Sequence, residues 1–323
     1  MPQSTQGPAS AEPAPLLITI GETMMMLTPE HAEPLATARN VSLHPGGAES
    51  NVAAHAAHLG VSAAWVSMVG DDVLGHRIRR SIADHGVDTR WVGVDQTAPT
   101  GVYFKDPGHG VHYYRRGSAA SRMAPATVAG VPLEDAAIVH LSGITPALSQ
   151  SCADLVAAVF ERVAASGALL SFDINYRPSL WPAGTAAPTL RALANRADIV
   201  FVGLDEAQSL WGCSTAADVR AMLPDPERLI VKDGDVGATE FSAAARVFEP
   251  AIPTEVLEAV GAGDAFAAGY LSATLRGEAP RDRLRAGHER ARLVLLSTSD
   301  FAADTAPSAS SLISAEPLTE RNY

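Results

Sequence analysis

Six short apolar runs recur along this chain, each separated from the next by polar or helix-spaced sequence, and this alternation limits the possible fold most. The runs are 16–20, 63–69, 137–141, 168–173, 198–202 and 228–232. Helical spacing is found at 50–59, 74–85, 149–165, 187–195, 204–210 and 281–296. Apolar strands separated by helices predict an α/β fold whose largely parallel sheet is covered on both faces. Ligands of such sheets bind beyond the carboxyl ends of the strands, where Gly21, Gly70, Ser142, Asp173 and Gly203 fall. Segments 23–45 and 100–116 break the alternation. They carry period-two character, as in Val102 and Phe104, then Val111, Tyr113 and Arg115, and read as strands. No internal repeat is present.

The second constraint is the stretch Glu258-Ala259-Val260-Gly261-Ala262-Gly263-Asp264-Ala265-Phe266. Residues 252–257 before it read as a short strand or extended arm, and 265–275 after it as a helix. A glycine-rich turn feeding a helix leaves several N–H groups unpaired at the positive end of the helix dipole, where an anion can sit. Asp264 would repel a phosphate unless it takes a proton from a hydroxyl that attacks the phosphate, and that combination suggests a kinase. By itself the segment fits equally a helix entry in which Asp264 only stabilises the first turn. No Gly-x-x-x-x-Gly-Lys-Ser/Thr occurs, which argues against a P-loop fold. Upstream, Pro45-Gly46-Gly47-Ala48-Glu49-Ser50-Asn51 opens a helix that stops at Gly60. Adjacent glycines admit close approach of a small polar ligand, and Asn51 offers a donor and an acceptor there.

Composition excludes several alternatives. At 323 residues and 47% hydrophobic content the chain can build one large domain or two modest ones. The net charge is −12 and Lys105 and Lys232 are the only lysines, so no basic stripe suggests nucleic acid. Cys152 and Cys213 read as reduced thiols with neither a disulfide framework nor a zinc pattern. His55 and His58 share a predicted helix face but lack further ligands at metal-binding spacing, and Met24 to Met26 read as strand packing. No run approaches the roughly eighteen apolar residues of a membrane-spanning helix. Segments 1–14 and 304–323 read as disordered tails around a domain spanning 15–303, and the first lacks the features of a secretory signal. A cytoplasmic location is expected, without a membrane or nucleic-acid partner.

Together the two glycine segments resemble the signatures of the ribokinase-like (PfkB) carbohydrate kinases, over about 16–304. Within that family the 2-keto-3-deoxygluconate kinases are most similar. Further matches are Gly21-Glu22, Tyr103, Tyr113 to Ala119, Ser142 to Ser149, and Asp173 to Arg177. The resemblance implies a ribokinase-like three-layer sandwich with a mostly parallel central sheet. It also implies a small β-lid from about 23–45 and 100–116, ATP with Mg²⁺, and a homo-oligomer. The implied reaction is phosphorylation of a sugar-acid hydroxyl. A neutral-sugar kinase of the fructokinase or ribokinase type is the alternative, and a non-catalytic sugar or nucleotide sensor a third. Glu49 and Ser50 stand where fructokinase-like chains have Pro-Ala.

Carried onto this sequence, the family's pattern assigns the proton to Asp264 and the anion hole to Gly261, Ala262 and Gly263. It gives the sugar to Gly46, Gly47, Asn51, Tyr103, Tyr113, Arg115, Arg177 and Asp300. It gives the nucleotide to Asn175, Arg177, Lys232, Gly234, Gly237 and His288, and a water-mediated magnesium contact to Glu206. Arg115, Arg116 and Arg177 gain interest because an acidic protein must concentrate its arginines where anions sit. An ion pair of Arg177 with Asp173 or Asp205 is the structural alternative for that residue. Two departures from the pattern stand out: Gly203-Leu204-Asp205-Glu206 keeps the glutamate but not the asparagine of Asn-x-x-Glu, and Glu258-Ala259-Val260 replaces Asp-Thr-Thr.

Overall fold

Buried runs without alternation define the main sheet of the computed structural model, which describes residues 16–31, 33–243, 245–256 and 260–296. Strands β1 (Leu17–Ile20), β8 (Ile138–Ser142) and β10 (Ile199–Gly203) are buried at every position, as a sheet covered on both faces requires. They join β4 (Ala63–Gly70), β5 (Val92–Asp95), β9 (Leu169–Asp173), β11 (Arg228–Asp233), β12 (Gly237–Ser242) and β13 (Arg246–Pro250). The order is β13-β12-β11-β10-β9-β8-β1-β4-β5. All neighbours from β5 to β11 are parallel, and β12 and β13 add an antiparallel edge.

Successive side chains on these strands enter two different cores. Ile18, Val66, Val139, Phe172 and Val200 pack beneath α4 (Gln150–Ala164), α5 (Ala183–Ala194), α6 (Leu204–Trp211) and α7 (Ala216–Met222). Leu17, Trp65, Ile138, Phe201 and Ile230 pack beneath α1 (Ala48–His58), α2 (Val73–Asp84), α8 (Ala262–Leu275) and α9 (Pro280–Leu295). The result is the three-layer sandwich that the alternation predicts. Chain order reverses between β1 and β8, so a crevice opens there beyond the carboxyl ends.

The period-two segments form a separate sheet of β2 (Met24–Pro29), β3 (Val41–Gly46), β6 (Val102–Asp106) and β7 (Gly110–Tyr114), in the order β3-β2-β6-β7. Met25 and Met26 are fully buried, so the methionine run packs as its composition suggests. Residues 252–256 pair with no described strand, so the strand expected there does not form, and the chain runs on as an unpaired arm. The tails 1–14 and 304–323, Asp300, Glu258 and Ala259 lie outside the described residues. Cys152 and Cys213 are both buried free thiols. No described helix is long and apolar enough to cross a membrane.

Candidate active site

The two glycine segments, over two hundred residues apart in sequence, are joined by a hydrogen bond between their helices. Asn51 Nδ2 on α1 donates to Asp264 Oδ2 on α8 at 2.9 Å. Gly261 takes the left-handed conformation, φ 82°, that turns the chain into α8, and no side chain caps the helix. The first intrahelical bond runs from Ala265 N to Gly261 O, so the N–H groups of Ala262, Gly263 and Asp264 have no helical acceptor. Asn51 is thus a partner of the carboxylate; its Oδ1 is buried without an acceptor's usual donor among the described residues. The family's pattern gives Asn51 to the sugar alone, without this contact to the carboxylate.

A cleft of about 830 Å³ opens at this point, between the carboxyl ends of the strands and one face of the small sheet. Gly46 and Gly47 form its floor, and both glycines are sterically required. A Cβ on Gly46 would lie 2.1 Å from the Tyr103 hydroxyl, and one on Gly47 2.5 Å from Glu22 O. Tyr103 and Tyr113 pair across β6 and β7 with ring centroids 5.7 Å apart, and both line the cleft with Arg115. Arg115 is already engaged, however. Its Nε donates to Glu22 Oε2 at 2.7 Å, and the Glu22 side chain is fully buried.

The nucleotide-side residues gather at the ends of β9 and β11. Lys232 Nζ lies 3.2 Å from Asp173 Oδ2, and a Cβ on Gly263 would sit 3.5 Å from the same nitrogen. Burial works against the lysine's charge, but Asp173, Glu206 and Asp264 outweigh it and hold the ammonium above the ordinary lysine range. Asp173 therefore pairs with Lys232. Arg177 is exposed at the rim, forms no ion pair with Asp173 or Asp205, and among the described residues bonds only the Tyr176 carbonyl, at 3.3 Å. Gly234, in the turn joining β11 to β12, and Gly237, the first residue of β12, have positive φ of 50° and 149°. His288 stacks edge-on with Phe266 at 5.1 Å, and burial pushes its imidazole toward the neutral form. It reaches this place because α8 and α9 touch through glycines: a Cβ on Gly269 would fall 2.3 Å from Ala286 O.

Glu206 has a structural task. Its two oxygens accept from Tyr176 N and Gly203 N, each at 2.8 Å, which fastens the start of α6 to the chain after β9. Burial first, and Asp173 second, raise its carboxyl above the usual range. Among the described residues no group of three metal-ligating side chains occurs. Arg290 Nε donates to His55 Nδ1 at 2.9 Å, so that ring nitrogen is taken by a protein donor. Asn175, at φ 38°, keeps a buried Oδ1 without a partner among the described residues.

Comparison with known proteins now decides the family. The model of the pfkB family carbohydrate kinases matches residues 14–305. The chain belongs to that family. It is an ATP-dependent carbohydrate kinase. The 2-dehydro-3-deoxygalactonokinase of Haloferax volcanii is 33% identical over 86% of this chain and 90% of its own length. The 2-dehydro-3-deoxygluconokinase of Bacillus subtilis is 34% identical over 84% and 86%. Fructokinase-1 of rice (Oryza sativa subsp. japonica) is also similar, at 31% identity over 79% and 82%. The crystal structure of a PfkB protein from Polaromonas sp. JS666 superposes with a TM-score of 0.81 at 32% identity, covering 87% of this chain and 96% of that one. The sequence reading missed a role for three residues of this kinase's cleft and its floor. Glu22, in the link from β1 to β2, and Glu49, in the first turn of α1, are buried acids at positions where acids are usually solvated. Lys105 is one of only two lysines in the chain, and both line the cleft. Scarcity of lysine was the available signal for the last.

Proposed function

We propose that this kinase transfers the γ-phosphoryl group of ATP to the terminal hydroxyl of 2-keto-3-deoxygluconate or a closely similar sugar acid, giving the 6-phosphate. The observation that carries the reading is the placement of Asp264 opposite the small-sheet face bearing Tyr103, Tyr113 and Arg115, in one cleft. Asp264 takes the hydroxyl proton as the sugar oxygen bonds to the γ-phosphorus and the bond to ADP breaks. Asn51 fixes the orientation of that carboxylate. The N–H groups at the start of α8 and the Lys232 ammonium stabilise the charge on the transferring group, the principal lever in phosphoryl transfer. His288 and Gly234 bound the nucleotide end.

Magnesium fits this site as an ion escorted by the nucleotide. Asn175 Oδ1 and the remaining lone pairs of Glu206 would accept hydrogen bonds from waters around the ion, which would supply charge neutralisation at the phosphates.

Relatives named for a 3-deoxy sugar acid support the acidic substrate. One observation favours a neutral sugar instead: Glu22 cancels the charge of Arg115. Coupled measurement of ADP release with 2-keto-3-deoxygluconate, 2-keto-3-deoxygalactonate, fructose and ribose separates the two. The sugar acids should exceed the neutral sugars at least tenfold in kcat/KM, a difference of about 1.4 kcal/mol in transition-state binding. Preference for fructose or ribose would replace this reading with the neutral one.

A further inference from the structure

A buried ion pair joins the small sheet to the main sheet at the wall of the cleft, and phosphoryl transfer by itself gives no reason for it. Glu22 follows β1, and Arg115 follows β7. Their side chains are 0% and 11% exposed. Arg115 Nε donates to Glu22 Oε2 at 2.7 Å, and Nη2 contacts the same oxygen. The other carboxylate oxygen, Oε1, accepts from Ser118 Oγ at 2.7 Å. The guanidinium carbon lies over the Tyr113 ring, 5.7 Å from its centre.

A guanidinium can grip a carboxylate along either of two edges, one made by Nε and Nη2 and the other by Nη1 and Nη2. Glu22 occupies the first. Arg115 lines the cleft, and its Nη1 has no acceptor among the described residues. The edge left to a ligand is therefore the second. Because Glu22 balances the charge, Arg115 attracts anions at a distance only weakly. Discrimination then depends on how well a planar two-oxygen group meets an edge that cannot rotate.

We infer that Glu22 is a positioning residue for substrate choice: it fixes Arg115 so that the outer edge of the guanidinium receives the carboxylate of a sugar acid. The inference rests on the sugar-acid reading above. It adds that selectivity is built from orientation and not from net positive charge. Ser118 locks the carboxylate that does the holding.

Steady-state kinetics of Glu22→Gln with 2-keto-3-deoxygluconate and with fructose test it. The amide keeps the volume and one carbonyl acceptor but loses the charge that holds the fork. The KM for the sugar acid should rise about tenfold, as expected for a misaligned charge-assisted contact. The kcat for that substrate should stay within about twofold, and the KM values for fructose and ATP should not move. Ser118→Ala should shift the sugar-acid KM in the same direction by about threefold, and it decides the matter if Glu22→Gln does not fold. An equal KM rise for both sugars, a lower KM for the sugar acid, or no change would overturn the inference. A wild-type enzyme without preference for the sugar acid would instead defeat the substrate reading, and the inference with it.

Discussion

The proton that burial holds on Glu49 should make the stability of this kinase fall as pH rises from 4.5 to about 7. The side chain projects from α1 into the crevice between β1 and β8 and is fully buried. Its Oε1 accepts from Ser142 Oγ at 2.6 Å and Ser142 N at 3.1 Å, with Thr145 Oγ1 at 3.4 Å. The other oxygen has no partner among the described residues, and a Cβ on Gly21 would lie 2.1 Å from it. Burial pushes the carboxyl from an ordinary 4.5 up to about 7, against the smaller opposing effect of the Ser142 hydrogen bonds. Between those two pH values the folded chain holds a proton that the unfolded chain has released, so stability has a negative slope with pH. The contribution is complete below the unfolded value and is lost as pH rises through about 7. At ~1.36 kcal/mol per tenfold change in proton concentration, the total is about 3 kcal/mol. Glu49→Gln cannot ionise and keeps a carbonyl acceptor for Ser142. Urea denaturation of both proteins at intervals from pH 4 to pH 8 should show the variant gaining on the wild type by about 3 kcal/mol. Other titrating groups cancel in that difference. A difference that stayed flat across the range would mean that Glu49 does not titrate there, and the account of its burial would be wrong.

Asp264→Asn should lower kcat by ~10²–10⁴-fold with little change in sugar KM, since the amide can still meet Asn51 but cannot take a proton. Near wild-type turnover would remove Asp264 from its assigned role. Gly263 has ordinary helical φ, unlike Gly261, so the cost of a side chain there is contact with Lys232 and not backbone strain. Gly263→Ala should therefore leave the ATP KM nearly unchanged while Gly263→Val raises it, and equal effects would refute the steric argument. Arg115→Ala strands the buried Glu22 carboxylate and should cost ~3–5 kcal/mol in urea denaturation, most of it recovered by adding Glu22→Gln. A single variant within about 1 kcal/mol of wild type would show that the pair carries little of the stability.

Local sequence determined the layers of this protein. Apolar runs such as Ile199–Gly203 carry their own evidence of being covered on both faces, because burial of consecutive residues leaves no other solution. The glycines at 46, 47 and 261 announced close approach and a helix entry for the same reason: their requirement is written at single positions. Weaker local signals were lost. The antiparallel edge strand β13 is exposed or half-buried along its length, and α5 begins at Ala183, ahead of the predicted 187, although Pro188 lies inside it. That proline displaces the bond to the exposed Gly184 carbonyl, which water can satisfy. Tertiary structure alone decided the partners. Asn51 meets Asp264 across 213 residues, Arg115 meets Glu22 across 93, and Lys232 meets Asp173 across 59. Pairs at such separations leave no periodic trace, so the sequence showed which groups the site holds but not that its arginine is already held by a buried acid. Only the docking of the small sheet on the carboxyl ends of the main one brings those charges together, because each is costly to bury without the other.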